Sequence, residues 1–273
     1  MTNRTSPTSE PTVPGGVRNP GDPAVRVVDL AKVFAGGVRA LDGVTFDIPR
    51  GELTSIIGPS GCGKTTTLKI IAGLLDATSG QVEINGTPVT RPGPDRAFVF
   101  QDFALMPWAT VLRNAAFGLE LRGVPRKERE ATAREYVAKV GLSRFEDAYP
   151  HQLSGGMRQR VGLARALAVD AEILLMDEPF ASVDEQIRRK FQEDLLRLLS
   201  EEDKTVIFVT HSIEEAVYVS DQIVIMTRGP SQVSKVVRPG VDHSGGSGHI
   251  RRSPAYLDWV ERIWAELQGY LET

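Results

Sequence analysis

A chain of 273 residues with 41% apolar and 25% charged side chains can bury a sizeable core and lies far from disordered or fibrous compositions. Its 32 basic and 35 acidic residues leave a net charge of −3, which disfavours a nucleic-acid partner, because holding a phosphate backbone calls for a basic stripe. No apolar run nears the roughly 20 residues that cross a hydrocarbon core, the opening MTNRTSPTSEPTVPGG lacks the apolar segment of a secretory signal, and the single Cys62 cannot form an internal disulfide, so the chain is expected inside the cell.

Residues 1–23 are Pro-, Ser-, Thr- and Gly-rich and carry too little apolar surface to offset the entropy of ordering, so they read as a disordered tail. Short β-branched runs at 25–30, 44–48 and 53–58, separated by Gly, Pro and Asp, then predict strands. The segment KTTTLKIIAGLL at 64–75 places Leu68, Ile71, Leu74 and Leu75 at helical spacing and predicts a helix that ends before a turn at Ser79 and Gly80. Strands are predicted at 82–84 and 97–100, and a helix-dominated stretch runs from about 108 to 167.

Beyond it, strands at 173–176, 206–209 and 222–226 alternate with helices at 185–199 and 213–219, a pattern that implies a parallel sheet with crossover helices. Residues 239–248 form a Gly/Ser-rich link, and helical periodicity resumes over 253–271 through Tyr256, Trp259, Ile263, Trp264 and Leu267.

Three constellations carry chemistry. GPSGCGKTT (Gly58, Pro59, Ser60, Gly61, Cys62, Gly63, Lys64, Thr65, Thr66) follows a predicted strand and opens a helix, the context in which G-x-x-x-x-G-K-[ST] binds phosphate. Its glycines let backbone N–H groups turn inward, Lys64 reaches the outer phosphates, and Thr65 offers a hydroxyl to Mg²⁺. ILLMDEP ends a buried-type strand in two carboxylates, Asp177 for the metal shell and Glu178 as general base toward water. LSGGMRQR puts Ser154, Gly155 and Gly156 at a helix start, which reads equally as a second anion-binding terminus or as a plain serine N-cap.

Taken together, LSGG, the loop at Gly58 and the DEP strand resemble the ATPase subunits of ABC transporters, over nearly all of residues 25–228. The resemblance implies an α/β fold: a P-loop NTPase core with a mostly parallel sheet, an antiparallel β subdomain and an inserted helical subdomain at about 102–167. The ATPase domain then spans 24–238, followed by a linker at 239–250 and a C-terminal helix at 251–273.

It also implies ATP and Mg²⁺ as ligands, and that Ser154, Gly155, Gly156 and Gln159 complete the ATP site of a second, identical subunit. Phe100-Gln101 resembles the Q-loop, whose glutamine meets Mg²⁺ together with Thr65 and Asp177. VTHS resembles the switch motif and puts His211 on the γ-phosphate, while Phe34 matches the residue that stacks on adenine. Asp184 falls at the family's dimer contact, in a D-loop where Ala181 replaces the usual small hydroxyl residue.

The phrases ALMPWATVLRN, LRGVPRKER, PFASVDEQIR and VTHSIEEAVYVSDQIVIM look like the nitrate, sulfonate and taurine importer branch, although TRGPSQV after Met226 departs from that branch's Pro-Gly turn. Implied partners are an integral membrane permease and, indirectly, an extracytoplasmic solute-binding protein, with the subunit peripheral on the cytoplasmic face of the membrane. Cys62, lying inside the loop, is expected to react with thiol reagents more slowly when ATP is bound. Rival readings are a small P-loop kinase, which leaves LSGG and VTHS unexplained, a regulatory binding module, and a non-transport ABC ATPase such as an iron–sulfur assembly ATPase, which spacing does not exclude.

Overall fold

The computed structural model describes residues 21–181, 185–241 and 247–270; most of the tail expected at 1–23, the D-loop residues Ser182, Val183 and Asp184, and part of the linker lie outside them. Its strands are β1 (Val25–Val33), β2 (Arg39–Ile48), β3 (Leu53–Ile57), β4 (Ser79–Ile84), β5 (Thr87–Pro88), β6 (Arg96–Val99), β7 (Ile173–Asp177), β8 (Thr205–Val209), β9 (Gln222–Met226) and β10 (Val233–Val237). Its helices are α1 (Lys64–Ile71), α2 (Val111–Leu121), α3 (Arg126–Lys139), α4 (Gly155–Ala168), α5 (Glu185–Ser200), α6 (Ile213–Val219), α7 (Ser247–Ile250) and α8 (Pro254–Gln268). No described helix is long and apolar enough to cross a membrane.

Two sheets organise the chain. The six-stranded sheet has the order β10-β9-β3-β8-β7-β6, and all its pairs are parallel except β10 against β9. Strands β3, β7, β8 and β9 are buried at every residue, as a parallel sheet covered on both faces requires. Alternation sorts their side chains: Leu174, Met176, Val206 and Phe208 face the helices, and Ile173, Leu175, Ile207 and Val209 face a second core shared with α1. That second core is closed by the antiparallel sheet β2-β1-β4-β5.

The stretch between β6 and β7 is helical, and α2, α3 and α4 pack on one another. Thr110 caps α2 by accepting from the Arg113 N–H, and Ser154 caps α4 by accepting from the Met157 N–H. The buried Asn114 holds the loop before α2: its Oδ1 accepts from the Met106 N–H at 2.8 Å, and its amide donates to the carbonyls of Met106, Ala109 and Thr110. Helix α8 starts at a Ser253 cap and lies against α6, burying Tyr256 and Ile263, with the Tyr256 hydroxyl donating to the Glu214 carbonyl at 3.1 Å.

Several elements differ from the sequence expectation. Helix α1 stops at Ile71 rather than running to 75, because the chain turns at Gly73, where φ is +73° and a Cβ would lie 2.4 Å from the Arg91 backbone. Ser79 and Gly80 begin β4 instead of forming a turn. β5, at two residues, is too short to show a period, and β10 is a half-exposed edge strand whose alternation is weak. The departure at TRGPSQV is a turn through a cis Gly229–Pro230 bond that leads into β10 and buries Ser231.

Between Val28/Gln81 and Ala31/Ser79 the β1–β4 register shifts, and Gly80 (φ +77°) lies at that shift with its Cα hydrogen facing the Asp29 carbonyl. A Cβ there would stand 2.2 Å from that oxygen. Gly80→Ala is therefore expected to cost about 2 kcal/mol or more of stability, read as a lower urea midpoint at unchanged m-value, whereas Gly86→Ala, which has open space around it, should cost less.

Candidate active site

The site forms at the carboxyl ends of three neighbouring strands, where ligands of open α/β sheets bind. The sheet order places β8 between β3 and β7, so the loop after β3, the acids ending β7 and the histidine after β8 converge. After β3 the chain turns through Gly61 (φ +76°) and Gly63 (φ +96°) into α1, whose first turn has no side-chain cap. Its leading N–H groups are thus left for an anion. Gly58 must be glycine, since a Cβ would sit 2.7 Å from the Met226 carbonyl oxygen. The nearly buried Lys64 folds back across the loop, its Nζ donating to the carbonyls of Gly58 at 2.9 Å and Pro59 at 3.0 Å.

Thr65 Oγ1 donates to Asp177 Oδ1 at 2.8 Å, joining α1 to the end of β7. Burial pushes the Asp177 carboxyl above the usual carboxylate range, and the neighbouring Glu178 charge adds to this, against the Thr65 hydrogen bond and the two lysines Lys69 and Lys64. A hydroxyl and a carboxylate oxygen side by side form a hard-oxygen pair that suits Mg²⁺.

Glu178 has φ +46°, an uphill conformation for a residue with a side chain, and its N–H donates to the Val209 carbonyl at 2.9 Å. Its Oε2 accepts from Gln101 Nε2 at 3.2 Å and lies 3.5 Å from His211 Nδ1. Three side chains named separately from sequence therefore meet at one carboxylate oxygen. A cleft of about 790 Å³ opens here, lined by Phe34, Lys64, Thr65, Glu178 and His211 and also by Val38, Arg39 and Gly229. Phe34 is partly exposed at the rim, with Lys32 Nζ 5.4 Å from its ring centre. Val38, Arg39 and Gly229 were missed because a valine, an arginine and a turn glycine carry no pattern of their own; only the fold of β2 and the β9–β10 turn brings them in.

Two expectations change. Cys62 has its backbone in the loop, but the thiol is 1% exposed and points into the core, where burial raises its pKa despite Lys64 nearby. A thiol so buried is expected to react slowly whether or not nucleotide is bound. Gln159 is 2% exposed on the inner side of α4, and its Nε2 has no hydrogen-bond partner among the described residues. That burial does not fit a side-chain contact with a second chain. Ser154, by contrast, is exposed at the start of α4, with Gly155 and Gly156 half-buried beside it, and none of the three lines this chain's own cleft.

Two measurements follow from this geometry. Cys62 is expected to resist a thiol reagent equally with and without ATP and to react fully in denaturant; fast modification of the folded chain would place the thiol elsewhere. An Asp177 pKa raised by folding means that its stabilising contribution is complete below the unfolded pKa and is lost as pH rises through the folded value. Asp177→Asn should therefore raise the melting temperature at pH 7 in buffer without nucleotide or divalent metal, and the difference should shrink as pH falls below the folded pKa.

The family model for ABC transporter matches residues 41–181. An uncharacterized ABC transporter ATP-binding protein of Methanocaldococcus jannaschii is 51% identical, covering 88% of this chain and 89% of its own. A taurine import ATP-binding protein of Chromobacterium violaceum is 45% identical over 84% of this chain and 89% of its own, and a nitrate import ATP-binding protein of Synechocystis is 38% identical over 90% and 95%. The dimeric structure of a bacterial ABC transporter cassette superposes with a TM-score of 0.71 at 33% identity, over 78% of this chain and 98% of that one. A post-hydrolysis state of the same cassette, bound to ADP and Pi, gives 0.69 at 34% identity, with the same coverage. With its glycine-rich strand–helix junction, acidic strand end and His211 brought together as described, this chain belongs to the ATP-binding subunits of ABC transporters and is an ATPase.

Proposed function

We propose that the chain works as half of an ATP-clamped homodimer that powers import of a small solute, of the nitrate, sulfonate or taurine class, through a membrane permease. The observation that carries this reading is the separation of two glycine-bearing helix starts on one chain. The cleft gathers Lys64, Thr65, Glu178 and His211, yet the exposed helix start at Ser154, Gly155 and Gly156 lies outside it. A site assembled from the cleft of one subunit and the helix start of the other uses both ends.

In this reading ATP lies with its adenine against Phe34 and its phosphates on the N–H groups of the loop from Gly58 to Thr66. Lys64, released from the Gly58 and Pro59 carbonyls, takes phosphate oxygens instead. Glu178 accepts a proton from water as the new P–O bond forms, and the bond from the γ-phosphorus to its bridging oxygen breaks, giving ADP and inorganic phosphate. Gln101 and His211 hold that carboxylate from two sides, 3.2 and 3.5 Å away, and so set its direction. Thr65, Asp177 and Gln101 would hold Mg²⁺, which supplies positive charge to the phosphate oxygens when bound. Asp184 would contact the second subunit.

Coupling to transport rests on differential binding: ATP favours the closed pair and hydrolysis removes that preference. The solute class is supported by the taurine and nitrate import relatives and by the phrasing around Trp108 and after Pro179. The subunit would sit on the cytoplasmic face of the membrane, held by its permease, with an extracytoplasmic binding protein delivering the solute.

Glu178→Gln should lower turnover at least about 10²-fold, the usual worth of a positioned general base, while ATP binding persists. The same variant with ATP should sediment as a dimer and without ATP as a monomer. Parental turnover would remove Glu178 from the chemistry, and a monomer at saturating ATP would end the shared-site reading.

A further inference from the structure

The loop that carries Gln101 is hydrogen-bonded to helix α4 through the guanidinium of Arg165. Past Gln101 the chain makes a tight turn in which the Phe103 N–H donates to the Phe100 carbonyl at 3.1 Å and the Ala104 N–H to the Asp102 carbonyl at 2.8 Å. Phe103 (φ +65°) and Ala104 (φ +43°) are both in the left-handed region, and neither is glycine. Two such residues in a row persist only where the surroundings hold them.

Arg165 supplies the hold. Its Nη1 donates to the Ala104 carbonyl at 2.7 Å and its Nη2 to the Phe103 carbonyl at 2.8 Å, so the planar fork grips two successive carbonyls. A lysine ammonium cannot reproduce that fork. The same face of α4 meets the loop elsewhere: Arg158, two turns earlier, lies 5.7 Å from the Phe103 ring centre and donates to the Leu153 carbonyl at 2.6 Å. Between them Gly162 faces the loop, where a Cβ would meet the Phe103 oxygen at an ordinary contact distance of 3.8 Å. Residues 158, 162 and 165 share one helical face by their spacing.

One end of this unit is Gln101, which donates to Glu178 Oε2, and the other is the start of α4 at Ser154, Gly155 and Gly156. We propose that Arg165 is a positioning residue, whose fork makes the Gln101 loop and α4 one body, so that the Gln101 contact in one subunit's site sets where Ser154, Gly155 and Gly156 stand for the other. The proposal rests on the shared-site reading above. It assigns to a residue outside the cleft the task of linking two sites on opposite ends of one chain.

The test is a double-mutant cycle on the full-length chain, measuring ATPase rate against ATP concentration for Gln101→Ala, Arg165→Met, Arg165→Lys and the double variant Gln101→Ala/Arg165→Met, with melting temperatures alongside. Arg165→Met should lower kcat by about 10²-fold, the size of effect that a small misplacement of reacting groups produces, with KM changed only a few-fold. Arg165→Lys, meeting one carbonyl at most, should recover part of the loss and keeps the test open if the methionine variant melts early. Residues acting through one another give non-additive losses, so the double variant should be no slower than the slower single variant. Losses that multiply, or parental kcat in either Arg165 variant, would overturn the proposal while leaving the site intact. Parental turnover in Gln101→Ala would remove Gln101 from the site and this link with it, while the shared-site reading is decided separately by whether the Glu178→Gln chain dimerises with ATP.

Discussion

A phosphate chain bound by a protein needs N–H groups that nothing else in the fold has claimed, and here they come from the junction between β3 and α1. Gly61 and Gly63 adopt positive φ to turn the backbone inward, and the first turn of α1 carries no side-chain cap that would use up its donors. The rest of the site is organised around that junction. Thr65 reaches Asp177 because β7 ends level with the start of α1, and Lys64 bridges back to the loop's own carbonyls, which keeps a nearly buried ammonium hydrogen-bonded.

The six-stranded sheet is what makes this junction part of an active site. With β8 lying between β3 and β7, His211 and the paired acids arrive beside the loop from strands far apart in the chain. Glu178 is held in a conformation that a free chain avoids, with its N–H satisfied by Val209 and its Oε2 by Gln101. Strain of this kind persists because the fully buried strands on either side leave the turn no alternative path. Asp177 shows the same trade in electrostatic form: burial disfavours its charged form, against the Thr65 hydrogen bond and the nearby lysines.

The helical segment reaches the site through backbone contacts rather than through side chains in the cleft. Asn114 fastens the loop before α2 with four hydrogen bonds, and Arg165 fastens the loop after Gln101 with two. Both are buried or half-buried polar groups whose partners are carbonyls or N–H groups, the arrangement that lets irregular backbone lie against a packed helix without orphaned polar atoms. Polar anchors of this sort define a geometry more sharply than apolar packing does, because a displaced hydrogen bond cannot be replaced by a neighbouring contact.

What the sequence by itself determined is the chemistry that depends on near neighbours. The glycine pattern from Gly58 to Gly63, the helix start at Lys64, the Ser154 cap and the buried runs that became β3, β7, β8 and β9 all follow from preferences acting over a few residues. The two carboxylates ending ILLMDEP marked Glu178, and family resemblance then named Gln101 and His211. Only the tertiary structure brought the last three to one oxygen atom, across a separation of 77 residues between Gln101 and Glu178, because proximity at the sheet's edge is set by strand order and not by spacing. It also turned the Cys62 thiol into the core, sank Gln159, brought Val38, Arg39 and Gly229 to the cleft, and aimed Arg165 at two carbonyls. Which way a side chain faces at such positions depends on what the remainder of the fold packs against it, and no local pattern carries that information.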